Sequence, residues 1–509
     1  MSSALLPEET LSHKFISKWF WLYLFTLLTL PLWYIIRVIL SNDMSVAEVG
    51  IIYSLIWLMW ILSTLSTLWL STEAMVYFLP KYIVKKDRDT TSTIYRIIRY
   101  INIGMTLIIW GAFYWFIQAY GNHYIDHPQA TAILYIFLGI FLFLNLEKPL
   151  LWVFHTLQNV FIPNLTEFIK QGVIAFTIWT LFLFSLWDLI HYGYAFLWWA
   201  IISYLIYLIT FQYKYSQQIL SGKWIHNNVL FKQLIRFGLS ALLAANAMLI
   251  IKNVDMQMLL VISGAEDAGY YSNYMSLMLI VMFFITPILS ILYPIISELH
   301  SKWQLHKLSM LQSFLYKYVV VFAVSMIVFL WVFGEEIAVI FFGESFVYSG
   351  TLISLLAIFG LCKIIFSINF AILMWLWEVR KRANILIIVM LINIILNSIL
   401  IPLRWALGAW IATGISWTII AATTLYYVYQ HQPIQWDRWF YTKNFILLIL
   451  LWGTSYFITK DWFVLDNVYR YINLQQIISI WIIYYILIIL TNLQEMKWLI
   501  HTIQQFRQK

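Results

Sequence analysis

The chain has 509 residues, of which 62% are hydrophobic and only 11% charged, against about 25% charged in soluble globular proteins. With apolar stretches recurring over its whole length, this composition excludes a soluble multidomain protein, and no ~10-residue alternating segments mark a spanning β-barrel. The net charge of +8 sits in segments between apolar runs, where it sets orientation and meets anionic lipid rather than nucleic acid.

Lys14 and Lys18 precede the first long apolar segment. That segment runs too long for a signal peptide and lacks a small-residue cleavage site, so it reads as a retained span. Spans follow at about 15–40, 46–72, 92–119, 130–154, 162–187, 192–212 and 232–262. The second half continues at about 268–298, 310–333, 346–377, 383–403, 406–430, 442–459 and 471–494, each long enough to cross hydrocarbon as a helix. The fold class is therefore all-α and polytopic, with about 14 transmembrane helices. With both termini cytoplasmic, 24 of the 31 Lys and Arg fall in cytoplasmic segments, Lys170 among them. Arg37, Arg404, Lys460 and Arg470 fall outside, and Lys148, Lys252 and Lys363 lie within the membrane. One span missed in the middle would invert every later loop and spoil that asymmetry. The single cysteine, Cys362, lies in an apolar run, so there is no intramolecular disulfide framework.

The chain looks internally duplicated. Ala47-Glu48-Val49-Gly50 opens the second span and Glu266-Asp267-Ala268-Gly269 the eighth, 219 residues later. Lys148 and Lys363 in the fourth and tenth spans match at an offset of 215, as do Gly193 and Gly408 at the start of the sixth and twelfth. Six spans separate each pair, an even number, so the copies share one orientation. Parallel repeats imply two six-helix lobes related by a pseudo-two-fold along the membrane normal, with a site between them. The expected organisation is an N-terminal lobe over 1–225, a C-terminal lobe over 226–432, and two extra helices with a cytoplasmic tail over 433–509.

The run Asp255-Met256-Gln257-Met258-Leu259-Leu260, followed by Gly264-Ala265-Glu266-Asp267-Ala268-Gly269-Tyr270-Tyr271, resembles the junction of the seventh and eighth spans of polysaccharide flippases. Pro287, Leu292-Tyr293-Pro294-Ile295-Ile296-Ser297, Phe342-Gly343-Glu344-Ser345-Phe346 and Ile401-Pro402 are similar to that family too. So are Gly408-Ala409, Thr413-Gly414-Ile415-Ser416, Val49-Gly50 and the stretch from Tyr82 to Asp89. The resemblance covers roughly residues 15–430 and is strongest over 250–430. It implies membership of the multidrug/oligosaccharidyl-lipid/polysaccharide exporter superfamily, with two six-helix lobes in a V around a central cavity. It also implies translocation of an undecaprenyl-pyrophosphate-linked oligosaccharide across a bacterial cytoplasmic membrane. The basic first-span motif of the superfamily's lipid II flippases has no match here, which argues against a peptidoglycan precursor.

Ionisable residues near mid-membrane carry the site expectations, since each costs at least ~2.5 kcal/mol at a helix centre and usually faces a bundle interior or wet cavity. Lys252 and Asp255 are three residues apart on one helix face. They read either as a self-neutralising pair or as a phosphate contact beside a cation or proton carrier. Lys363 has no acid within four residues and suits a pyrophosphate as a compact point charge. Glu147 and Lys148 are adjacent and point about 100° apart, the first a candidate for ion coupling. Lys148 either snorkels to headgroups or faces the cavity like its repeat-mate Lys363. The basic 81–99 stretch reads as a topology-setting loop or a headgroup site, and the 27 Trp and 33 Tyr as interfacial belts.

Catalytic signals are absent from the sequence. The ten His show no metal-ligand spacing and no Walker loop is present, so no enzyme, cofactor or metal is expected. A polymerase would need a large external loop, and none exceeds about twenty residues. The function expected is a lipid-linked oligosaccharide flippase working by alternating access for surface polysaccharide assembly, with membrane lipids and polysaccharide polymerase machinery as further partners. The alternatives are a multidrug/cation antiporter of the same superfamily, generally twelve-spanned, and a non-transporting membrane assembly protein.

Overall fold

The computed structural model describes residues 8–67, 74–157, 159–186, 188–279, 305–375, 379–431 and 438–459, with isolated positions at 282, 479, 481–484, 486 and 490. Among them there is no strand. Helix α1 (Glu8–Asp43) turns sharply into α2 (Val46–Thr67). Ser45 and Glu48 build that turn reciprocally: the Ser45 N–H and hydroxyl donate to the Glu48 carboxylate at 2.9 and 2.8 Å, and the Glu48 N–H donates to Ser45 Oγ at 3.3 Å. After α3 (Met75–Val84), Asp87 caps α4 (Arg88–Tyr124) by accepting from the Thr90 N–H at 3.0 Å. Then come α5 (Ala130–Thr156), α6 (Phe161–Leu183), α7 (Leu189–Lys214), the short α8 (Ser216–Leu220) and α9 (Asn228–Ile262). A further helix, α10, is described over 265–279, and the rest of the span expected at 268–298 lies outside the described residues except for 282.

The polarity of these helices is inverted relative to a soluble bundle. On α4, Asn102 and Thr106 are fully buried while Leu107, Ile108 and Trp115 are exposed. An apolar rim around polar interior positions is what a lipid solvent selects, because lipid cannot satisfy polar groups. Six described helices are long and apolar enough to cross a bilayer on length and composition alone.

The second half departs from the expected spans in two places. Helix α11 (Leu305–Phe342) runs past the expected end at 333, with non-helical dihedrals at Phe333. A Cβ on the next residue, Gly334, would meet the Gly350 carbonyl at 2.8 Å, so the chain here approaches α12 (Val347–Leu356) backbone to backbone. The span expected at 346–377 is broken: α12, preceded by a 3-10 turn (Glu344–Phe346), meets α13 (Ile358–Trp375) at 62°. In α14 (Val379–His431), 53 residues would extend about 80 Å if straight. Trp405 sits instead at φ 52°, ψ −131°, and a Cβ on Gly408 would strike the Leu400 carbonyl. The chain doubles back there, as the expected boundary between 403 and 406 requires. Helix α15 (Arg438–Thr459) follows, and most of the span expected at 471–494 lies outside the described residues.

The chain divides into two compact units. The first comprises Met1–Asn273, Ala338–Ser349 and Leu386–Thr413; the second comprises Tyr274–Ile337, Gly350–Ile385 and Gly414–Lys509. Inside the first unit, a core of Tyr95, Ile98, Phe154, Tyr207 and Phe211 joins α4, α5 and α7, with Tyr95 and Phe211 stacked at 5.4 Å.

The first unit also contains the two matched glycines, and they meet. A Cβ on Gly50 would strike the Ala265 carbonyl, and one on Gly269 would strike the Val46 carbonyl. Val46 and Ala265 are separated by the same 219 residues as the glycines, so the contact is reciprocal, the signature of a two-fold relation. A second contact repeats within one residue of that register. Arg37 on α1 donates to the Ser272 carbonyl on α10 at 2.6 Å, and Gln257 on α9 donates to the Ser54 carbonyl on α2 at 2.6 Å.

Candidate functional site

The first unit holds an interior polar cluster built by four helices. On α5, Asn145, Glu147 and Pro149 are buried within an otherwise apolar helix. Glu147, 4% exposed, accepts from the Lys170 ammonium on α6 at 3.2 Å and from the Ser203 hydroxyl on α7. Lys170 also lies 3.4 Å from Glu167, one turn back, and 5.0 Å from the centre of the Trp199 ring. Asn145 Oδ1 accepts from Ser63 and Ser66 on α2 at 2.7 and 2.5 Å. The adjacent Lys148 donates to the Ser63 backbone carbonyl at 3.2 Å. Glu147 and Lys148 thus serve different neighbours, as their angular separation on the helix demands.

Asp255 forms a second centre. It is fully buried. Its Oδ1 accepts from Asn397 at 2.6 Å and its Oδ2 from Tyr271 at 2.7 Å and from Thr413. All three donors are neutral. Lys252, which shares its helix face, is exposed and makes no ion pair with it; the self-neutralising pair is therefore not the arrangement the chain adopts. Asn393, a turn before Asn397, accepts from Asn397 at 3.2 Å and donates to Thr413 at 3.3 Å.

Lys363 belongs to the second unit. It lies on α13, half-buried, with its ammonium 5.6 Å from the Trp417 ring centre. Nearby in the same unit, Asn369 accepts from Tyr316 and donates to Thr424 at 3.1 Å.

Two buried cations escape a reading of loops and spans. Lys170 counts with the cytoplasmic segments in the sequence, yet it lies nine residues inside α6 and is 6% exposed, because Glu147 and Glu167 compensate it there. Arg37 counts as external, yet it is 2% exposed. Its guanidinium donates to the Ser272 carbonyl and to Asn273 Oδ1 at 2.7 Å and lies 3.6 Å from the centre of the Tyr53 ring. Polar residues one helical turn apart inside apolar spans were the available signal for the rest of the network: Ser63 with Ser66, Glu167 with Lys170, and Asn393 with Asn397.

Chemically, these arrangements differ in charge balance. Glu147 is neutralised by a lysine. Asp255 has three hydrogen-bond donors and, among the described residues, no ion-pair partner, so a proton or a small cation would complete it.

Comparison with known proteins places this geometry in context. The fold is similar to that of the lipid II flippase MurJ in an inward closed conformation, with a TM-score of 0.69 at 16% identity, covering 93% of this chain and 99% of that one. It is also similar to an inward-facing multidrug resistance MATE family transporter of the MOP superfamily, with a TM-score of 0.61 at 14% identity, covering 79% and 94%. In sequence, the chain is 23% identical over 449 residues to an uncharacterised membrane protein of Methanocaldococcus jannaschii, covering 85% of this chain and 86% of the relative. This is a multi-pass membrane protein with the fold of those transporters. The family model described as polysaccharide biosynthesis protein matches residues 15–300, more than half the chain, and the chain belongs to that family.

Proposed function

We propose that this protein is a flippase that carries an undecaprenyl-pyrophosphate-linked oligosaccharide across the cytoplasmic membrane for surface polysaccharide assembly. The observation that carries this reading is the family match combined with the extent of the fold. The flippase fold covers 93% of the chain and the multidrug transporter fold 79%. The difference, about 70 residues, is close to the length of the 433–509 segment expected to lie outside a twelve-span transporter. That favours a flippase over a multidrug/cation antiporter.

In this reading the lobes over 1–225 and 226–432 work by alternating access. Lys363, Lys252 and Lys148 receive the pyrophosphate, since an ammonium binds phosphate as a point charge and releases it. Asp255 is the preferred carrier of a coupling ion, because its charge has no cationic partner among the described residues, while Glu147 is already balanced by Lys170. A polymerase of the assembly machinery would take the product outside. The test is export of cell-surface glycan in a strain lacking its own flippase. Lys363→Ala should abolish export with normal membrane insertion, and Lys363→Arg should restore part of it. Full export by Lys363→Ala and by Asp255→Asn would overturn the transport reading and favour an assembly protein.

A further inference from the structure

At one end of the first unit, the α3–α4 corner and the connector from α7 to α9 lie side by side. Gly222 in the connector has no room for a Cβ, which would strike the Arg88 carbonyl. The next residues are pinned along the start of α4: the Lys223 N–H donates to Asp89 at 2.7 Å, and the Ile225 N–H donates to Thr93 at 2.9 Å. Arg96 donates to the Leu220 carbonyl at 3.0 Å. The backbone of the connector is thus built into the unit, so the side chains it carries are presented beside the corner.

Those side chains are basic and apolar together. Lys85, Lys86 and Arg88 are exposed at the corner, and Lys214, Lys223 and Lys232 are exposed across from them. Val84, Tyr213 and Trp224, next in the chain to Lys85, Lys214 and Lys223, are 82%, 87% and 48% exposed. The two acids of the corner, Asp87 and Asp89, accept from the Thr90 and Lys223 backbone amides, and their two charges offset only part of the six exposed cations. Basic residues interleaved with Trp, Tyr and apolar side chains suit the headgroup layer of an anionic leaflet.

Lys86 adds an independent observation. Its φ is +57°, the left-handed region that glycine occupies without steric cost and lysine does not. The turn is closed by backbone alone, Lys86 N–H to the Ile83 carbonyl and Asp87 N–H to the Tyr82 carbonyl, both at 3.0 Å. The lysine side chain contributes nothing to that turn; what it adds is a charge at the apex of the corner.

We propose that the α3–α4 corner and the α7–α9 connector form a binding surface for the phosphate headgroups of anionic phospholipid in the adjoining leaflet. This stands apart from the transport reading, since none of these residues belongs to the candidate substrate or coupling sites. The test uses purified full-length protein in micelles doped equally with phosphatidylglycerol and phosphatidylcholine, with bound lipids counted by native mass spectrometry. The wild type should retain phosphatidylglycerol preferentially. Lys86→Gly should lower that preference about five-fold, the worth of one basic residue at an anionic surface, while the thermal midpoint stays level or rises. Adding Lys85→Gln and Lys223→Gln should bring the ratio close to parity. Arg404→Gln, at an exposed cation on the α14 turn, should leave it unchanged. A triple variant with the wild-type ratio, or an equal loss on Arg404→Gln, would overturn the proposal; in the second case the preference would come from overall charge alone.

Discussion

Cutting the Glu147–Lys170 pair from either side should give unequal losses, and cutting both sides should give little. The Lys170 ammonium is 3.2 Å from Glu147 and 3.4 Å from Glu167; the side chains of Lys170 and Glu147 are 8% and 5% exposed, that of Glu167 46%. Removing one partner of a buried pair costs about 3–5 kcal/mol, because the surviving charge stays in a low-dielectric interior without its counterion. Lys170→Met leaves Glu147 accepting from the Ser203 hydroxyl with no ion pair among the described residues, and the full ~3–5 kcal/mol is expected. Glu147→Gln leaves Lys170 with Glu167, whose exposed carboxylate is screened and compensates only in part, so about 2–3 kcal/mol is expected. The double variant buries no net charge and should fall within about 1 kcal/mol of wild type, a coupling of several kcal/mol between the sites. Thermal midpoints in detergent read this, at on the order of 1–2 °C per kcal/mol for a chain of this length. Additive losses in the double variant would refute the reasoning, since they would mean that each residue stabilises the bundle without the other.

Gly50→Val should prevent normal assembly, because the added carbons meet the backbone at Ala265 and Gly269, which cannot rotate away; a monodisperse, wild-type-like peak in size-exclusion chromatography would contradict the close crossing. Asp87→Ala should cost about 1 kcal/mol through the lost cap of α4. The Thr90 backbone N–H holds the Asp87 carboxyl below the usual carboxylate range, so the cap's contribution is present at neutral pH and is lost as pH falls below about 4. Thermal scans of wild type and variant should therefore converge in acid, and a gap that widens there would reverse the sign. A cysteine replacing Lys85 should resist a membrane-impermeant label in intact cells, and one replacing His127 should react. The opposite pattern would invert the topology.

Much of the architecture was legible in the amino-acid order because lipid is an unforgiving solvent. Each span must be a predominantly apolar segment of about twenty residues, and cations collect in the loops of one side, so most segments and the turn at 403–406 were readable. The glycine match at 50 and 269 was readable as well, although its meaning as a reciprocal crossing required both backbones to be seen together. The same solvent hid the interior. With apolar residues on the lipid face and on the packing face alike, helical periodicity does not say which side of a span points inward. Whether a charged residue in or beside a span snorkels, pairs or sits alone therefore depends on helices distant in the chain. Lys170 is buried because α5 brings Glu147 to it from 23 residues away, and Arg37 because α10 supplies the Ser272 carbonyl from 235 residues away. Lys252 and Asp255, neighbours on one helix, separate because Tyr271, Asn397 and Thr413 reach Asp255 first. Composition decided that this chain lives in a membrane; only the packing of one helix against another decided which of its charges lie inside and what answers each of them, because a buried charge is tolerated only where distant segments bring it a partner.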